Sequence, residues 1–82
     1  MLGMNTLTKK TETIFATKLW FAEAMLYVQL ADGREVGVPL DWFPKLRDAS
    51  EADLNVWRFI GKGQGIHWEA LDEDLSVARL LD

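Results

Sequence analysis

Two alternating segments joined by a tight turn place the strongest constraint on the fold of this chain. Met25–Leu30 and Glu35–Leu40 both alternate with period two, and Asp32-Gly33 lies between them. Period two indicates strands, because successive side chains of a strand point to opposite faces. Glycine tolerates the positive φ of a tight hairpin turn. The pattern predicts an antiparallel hairpin, and Ile14–Trp20, rich in β-branched and aromatic residues, adds a third strand in a meander.

Helix signals follow the predicted strands. Ser50 precedes Asp53 by three residues, which is the spacing of a helix N-cap and its acidic N3 residue. In such a helix Leu54, Trp57 and Phe59 would form the buried stripe. The sequence therefore predicts a helix that begins at Ser50, or earlier near Pro44 as a short turn, and that ends before Gly61.

Three glycines separate that helix from the C-terminal part of the chain. Gly61, Gly63 and Gly65 end the predicted helix and lead into a short strand at 66–68. Residues 76–81 are predicted to form one or two helical turns, with Val77, Leu80 and Leu81 facing inward. The glycine-rich segment lacks the pattern of a phosphate-binding loop, so it is interpreted as a flexible connection with Lys62 exposed at its tip.

The length limits the number of domains. The chain has 82 residues, enough for one hydrophobic core. Residues 1–12 are polar and aperiodic and are predicted to be a flexible N-terminal arm, followed by a single domain at 13–82. The predicted fold class is α+β: an antiparallel sheet of three to four strands with two short helices packed on one face. Trp68 is expected to be part of the core.

Composition narrows the function classes. The chain has no cysteine, which rules out disulfides and thiolate metal sites. It shows no signal-peptide pattern, and its apolar runs are too short to span a bilayer, so a soluble cytoplasmic protein is expected. The net charge is −4, and residues 69–82 account for it, with five carboxylates against Arg79. An acidic end favours a partner with a basic surface and disfavours direct binding of nucleic acid.

The segment Gly65–Asp74 concentrates the residues with most chemical potential. It contains the single histidine, His67, together with Trp68 and four of the thirteen carboxylates. Glu69 lies two residues from His67 on the same strand face, so the two side chains could pair. No nucleophile motif and no EF-hand spacing accompanies them. The expected role of His67 is a structural hydrogen bond, and that of the carboxylates before Ser76 is to stabilise the N-terminus of the last helix, with Asp74 or Ser76 as N-cap.

Five short blocks of the chain resemble one bacterial family. They are Asp32-Gly33-Arg34, Val38-Pro39-Leu40, Trp42-Phe43-Pro44-Lys45-Leu46, Gly65-Ile66-His67-Trp68-Glu69 and Leu71-Asp72-Glu73-Asp74-Leu75-Ser76. In this order they resemble the DUF2442 family, a domain of unknown function. The resemblance implies a small α+β protein. It also implies an antitoxin-like or inhibitory member of a two-protein system, and in some relatives a separate DNA-binding domain.

The leading functional prediction is a non-enzymatic protein-interaction module without a cofactor. Its surface would join the loop that begins at Trp42, an aromatic anchor between two prolines, to the acidic segment 69–74. The predicted interaction residues are Trp42, Pro44, Lys45, Arg47, His67, Glu69, Asp72, Glu73 and Asp74.

Other functional classes stay open at this point. One is a DNA-associated regulator that uses Lys9, Lys10 and Lys18. Another is a metal-dependent hydrolase centred on His67. A second copy of the chain could also cover the outer face of the second strand, at Met25 and Tyr27.

Overall fold

The computed structural model describes residues 14–81 of the chain and begins with a three-stranded antiparallel sheet. Its strands are β1 (Ala16–Ala22), β2 (Met25–Leu30) and β3 (Glu35–Pro39), in the order β1-β2-β3. The alternation of β2 is confirmed, since every second side chain from Leu26 to Leu30 is buried. Pro39 ends an edge strand, a position where its missing N–H removes no ladder bond.

A second antiparallel sheet follows. Its strands are β4 (Trp57–Ile60), β5 (Gly65–Trp68) and β6 (Glu73–Ser76), in the order β4-β5-β6. The central strand β5 was predicted as a strand, and its core-facing residues Ile66 and Trp68 are fully buried.

Short helical segments connect and follow the sheets. A 3-10 turn at Leu40–Trp42 leads into α1 (Pro44–Arg47) and α2 (Glu51–Leu54). The predicted N-cap is confirmed, because Ser50 Oγ accepts a 3.1 Å hydrogen bond from the Asp53 N–H. A 3-10 turn at Gly61–Gly63 joins β4 to β5, and another at Val77–Leu81 ends the described chain. No helix within residues 14–81 has the length and apolar character needed to cross a membrane.

The prediction of one sheet was wrong: the α+β class holds, but the strands form two sheets. The error arose at the predicted helix, which ends at Leu54, while Trp57–Ile60 forms β4. Trp57 and Phe59 are two residues apart and share a strand face, where their rings contact with centroids 4.9 Å apart. Aromatic and branched side chains suit a half-buried pleated surface better than a helix stripe.

The prediction that carboxylates cap the last helix was wrong, although the alternative cap residue, Ser76, does directly precede the final 3-10 turn. Glu73–Ser76 is strand β6, antiparallel to β5, with Leu75 opposite Ile66. The period-two alternation is visible in burial, since Glu73 and Leu75 are half-buried while Asp74 and Ser76 are exposed. The expected helical turn begins only at Val77, where Val77 and Leu80 are buried three residues apart and Leu81 is partly buried.

Both sheets bury their inner faces in one core. The buried cluster contains Leu26 and Val28 from the first sheet, Ile66 and Trp68 from the second, and Leu46 from α1. Trp68 is 0% exposed, and its indole N–H donates a 2.9 Å hydrogen bond to the Leu54 carbonyl. The buried ring therefore has its polar atom satisfied, as large buried aromatics require.

The turn between β4 and β5 approaches the first sheet closely at Gly63. Its φ is +103°, and a Cβ there would lie 2.5 Å from the carbonyl oxygen of Ala16 in β1. Only glycine combines this backbone angle with this approach. The β4–β5 connection was predicted as a flexible link, but Gly63 is buried there.

We predict that Gly63→Ala destabilises the protein more than Gly33→Ala does. Gly33 has a similar φ of +99° but no atom within 4 Å of an added Cβ, so it isolates the conformational cost, about 1–2 kcal/mol. The clash with Ala16 should add about 1–3 kcal/mol. Urea unfolding of both variants measures the difference; equal losses would mean that the sheets tolerate a wider gap.

We predict that Trp68→Ala lowers the free energy of unfolding by about 3–5 kcal/mol, because the ring is fully buried. Trp68→Phe keeps most of the ring but leaves the Leu54 carbonyl without its donor, which should cost about 1–3 kcal/mol. Denaturant titration checks both values. A loss below about 1 kcal/mol for the alanine variant would contradict a core role.

Candidate functional site

The two segments predicted to form one interaction surface lie together in the structure. They border a cleft of about 330 Å³, called here the Trp42 cleft. Its lining residues are Trp42, Phe43, Asp74, Leu75, Ser76, Arg79 and Leu80. One wall is the end of the 3-10 turn before α1, and the other is β6 with the turn that follows it. Residues about 30 positions apart in the chain thus meet at one place.

Trp42 is held outward by its neighbours. Leu40 is buried, and its N–H donates a 2.9 Å hydrogen bond to the Ala24 carbonyl, so the start of the turn is tied to the first sheet. Pro44 occupies the first position of α1, where its fixed φ suits a helix start. Between these anchors the Trp42 side chain remains 61% exposed. The turn therefore presents a large aromatic ring to solvent at the mouth of the cleft.

One ion pair connects α1, which follows the first wall, to β6, and two further pairs occupy Arg47 within its own segment. Lys45 Nζ lies 3.6 Å from Glu73 Oε1, which links α1 to β6. Arg47 pairs with Asp48 at 2.9 Å and lies 3.9 Å from Asp41. The hydrogen bond from Arg47 lowers the pKa of Asp48. Arg47 was predicted as a contact residue, and its guanidinium already has two local carboxylate partners.

His67 belongs to a row of polar side chains on the outer face of the second sheet. Because Ile66 and Trp68 point into the core, His67 points outward, with Arg58 of β4 on one side and Asp74 of β6 on the other. The predicted pairing with Glu69 is present, since Nε2 lies 3.1 Å from Glu69 Oε1. Nδ1 makes a short hydrogen bond to Asp74 Oδ1.

The two carboxylates favour the charged imidazolium. A neutral imidazole has one N–H, so it can donate to only one of two acceptors, whereas the imidazolium donates to both. The hydrogen bond to Asp74 is the largest influence that raises the pKa of His67, and burial acts in the opposite direction. Its side chain is 16% exposed. Glu69 also lies 3.8 Å from Arg58, which completes the row.

The arrangement of the two carboxylates around His67 differs from the one that the metal-dependent hydrolase hypothesis requires, in which the groups converge in a pocket. The two carboxylates engage different ring nitrogens, so they approach the imidazole at separate atoms and do not converge on one point. Within residues 14–81 no group of three histidine, aspartate or glutamate side chains is arranged to hold a metal ion. His67 lines neither the Trp42 cleft nor a second cleft of about 340 Å³ beside Gly65.

The remaining predicted residues lie near the cleft, on the first sheet or outside the described chain. Asp72 lies in the turn between β5 and β6, with φ +50°. Of the lysines considered for DNA binding, Lys18 lies exposed on β1 of the other sheet, and Lys9 and Lys10 fall outside the described residues. The outer face of β2 carries Tyr27 as predicted, stacked on Trp20 with ring centroids 5.7 Å apart.

Sequence reasoning missed Arg79 and Ser76 as site residues. Arg79 was counted only as a charge, although it lines the Trp42 cleft and forms no ion pair within the described residues. Ser76 was assigned to a helix cap. In the sequence, the only sign that Asp74 and Ser76 share a strand face is the apolar Leu75 between them.

Comparison with known proteins agrees with the resemblance of the sequence blocks. The family model described as protein of unknown function (DUF2442) matches residues 16–82. The chain belongs to the DUF2442 family.

One solved structure of a relative supports the fold. It is the crystal structure of a protein of unknown function from Rhodospirillum rubrum ATCC 11170, and it has 32% sequence identity to this chain. The TM-score is 0.73, and the match covers 85% of this chain and 87% of that one. A comparison with curated proteins found no match. This DUF2442 protein therefore shares its architecture with a relative that is itself described as a protein of unknown function.

We predict that His67 titrates above its ordinary pKa of about 6.5. A raised folded-state pKa means that its contribution to stability is fully present below about pH 6.5 and is lost as the pH rises through the raised value. NMR titration reports the pKa without assignment, because the chain has one histidine.

The carboxylate partners provide matched variants for this test. Asp74→Asn should lower the pKa of His67 more than Glu69→Gln, since Asp74 is the largest influence on it. A pKa of His67 at or below about 6.5 in the unaltered protein would contradict the raised pKa. An equal response to both variants would contradict the larger influence of Asp74.

Proposed function

We propose that this DUF2442 protein is a non-enzymatic interaction module that binds a partner protein with a basic surface at the Trp42 cleft. The observation that carries the proposal is the exposure of Trp42 beside a concave surface that also contains both charge signs, Asp74 and Arg79. Exposed tryptophan next to a pocket is typical of an interface anchor, since it buries a large area with little loss of side-chain freedom.

The charge around the cleft supports a basic partner. Glu69 and Asp74 have side chains that are 75% and 66% exposed, and Asp72 is exposed in the turn between them. These carboxylates lie on or beside the wall formed by β6. Their field would accelerate association with a positively charged surface more than it would strengthen the final complex.

An antitoxin-like or inhibitory role is the more specific form of the proposal. It comes from the family resemblance and is compatible with this binding mode, because an acidic module docked on a basic surface would cover that surface. In that role, the partner's own activity would fall when the complex forms. The cleft would act by occlusion, and no bond-making step is required of His67.

We predict that Trp42→Ala abolishes capture of the partner and Trp20→Ala does not. Trp20 is 36% exposed on the first sheet, so it controls for the loss of an exposed tryptophan elsewhere. The full chain and both variants would be used to capture proteins from a lysate of the host, with identification by mass spectrometry. The captured protein would then be purified and its affinity measured by calorimetry.

The affinity of the Trp42→Ala variant should fall by about 2 kcal/mol or more, as expected for an interface anchor. Association should also slow as salt increases. Equal binding by both tryptophan variants would contradict the proposal. Tight binding of duplex DNA with a steep salt dependence would instead support the regulator alternative.

A further inference from the structure

Strand β6 forms an edge of the second sheet, and that edge opens into the Trp42 cleft. The strand order β4-β5-β6 leaves one side of β6 without a neighbouring strand. Asp74, Leu75 and Ser76 all line the cleft although their side chains alternate between the two faces. Three consecutive residues of a strand can line the same cleft only along the backbone edge of that strand. The free edge of β6 therefore forms part of the cleft wall.

The hydrogen-bond register identifies which backbone groups face the cleft. The Val77 N–H donates to the Gln64 carbonyl at 2.9 Å, and Val77 and Gln64 continue the pairing in which Leu75 lies opposite Ile66. Hydrogen-bonded and non-hydrogen-bonded pairs alternate along an antiparallel ladder. Leu75 therefore bonds to β5, while the N–H and C=O groups of Asp74 and Ser76 point away from it.

The Asp74 N–H and C=O and the Ser76 N–H have no hydrogen-bond partner within the described chain. The Ser76 carbonyl is the first acceptor of the 3-10 turn at Val77–Leu81. No other hydrogen bond within residues 14–81, apart from those inside the sheet, involves the main chain of Asp74 or the Ser76 N–H. An edge with free donors and acceptors is a template for an added strand. Binding domains use such edges for extended peptides, with main-chain bonds for affinity and neighbouring pockets for specificity.

Charge decides between a second copy of the chain and a different partner. Pairing β6 with β6 of another copy would bring together two segments that each carry Glu69, Asp72, Glu73 and Asp74, so the carboxylates would repel. A segment with a cationic side chain opposite Asp74 would be attracted instead. Trp42 and Phe43 on the facing wall offer aromatic surface to an apolar side chain or to the stem of an arginine.

We propose that the free edge of β6 pairs with an extended segment of a partner protein, which places a lysine or arginine opposite Asp74 and an apolar side chain against Trp42. This inference rests on the proposed function of the same cleft and specifies how the partner is bound. The partner segment would extend the second sheet to four strands.

The test uses the full chain and phage-displayed random peptides of about eight residues, enough for one strand. Enriched peptides should alternate β-branched or apolar residues with polar ones and carry a lysine or arginine. In the complex with a synthetic enriched peptide, the amide protons of Asp74 and Ser76 should exchange with solvent at least about tenfold more slowly. The Leu75 amide, already bonded to β5, should change little.

Two substitutions at one position separate the backbone from the side chain. Ser76→Pro removes an outward N–H, which an edge strand tolerates, and should weaken peptide binding about tenfold. Ser76→Ala keeps the N–H and should bind within about twofold of the unaltered protein. Circular dichroism checks that both variants fold; should the proline variant unfold, amide exchange in the unaltered chain decides the question.

Other outcomes overturn the inference and can be told apart from failure of the proposed function. If no peptide is enriched, or if Ser76→Pro binds as well as Ser76→Ala, strand pairing is wrong. The proposed function would still stand if capture of the partner depends on Trp42. A dimer in light scattering that Ser76→Pro converts to a monomer would assign the edge to a second copy and overturn the choice of partner.

Discussion

Burial of Trp68 is the interaction on which the rest of the structure depends. The ring is fully enclosed, and its N–H is bonded to the carbonyl of Leu54 at the end of α2. One side chain therefore connects the central strand of the second sheet to the segment that arrives from the first. In a chain this small, few other side chains bury a comparable area, so the position of β5 is set largely by this ring.

The burial of Trp68 also determines which side chains of β5 reach the surface. Because side chains alternate along β5, burial of Ile66 and Trp68 forces His67 outward, between Arg58 and Asp74 of the neighbouring strands. Asp74 then contributes both to the polar row around His67 and to the Trp42 cleft. His67 itself lies outside the cleft and contacts it only through its hydrogen bond to Asp74.

Local signals in the sequence predicted the first half of the fold well and the second half less well. The alternation of β2 and the Ser50 cap depend on neighbours in the chain, so they were readable without the structure. Trp57–Ile60 and Glu73–Ser76 are four-residue strands, too short for periodicity to separate them from helical turns. Acidic residues before Ser76 suit a helix start equally well, and this local preference was overridden by pairing with β5.

The sequence by itself determined the family, the α+β class, the antiparallel meander of the first sheet and two of the seven residues that line the cleft, Trp42 and Asp74. These properties follow from composition, short motifs and contacts between residues near in the chain. Only the tertiary structure decided that there are two sheets and that Trp42 and Asp74 border one cleft, with the free edge of β6 in its wall. Those features depend on which strands pair and how the two sheets pack. Such contacts join residues far apart in the chain, and local sequence patterns do not indicate which distant segments will pair.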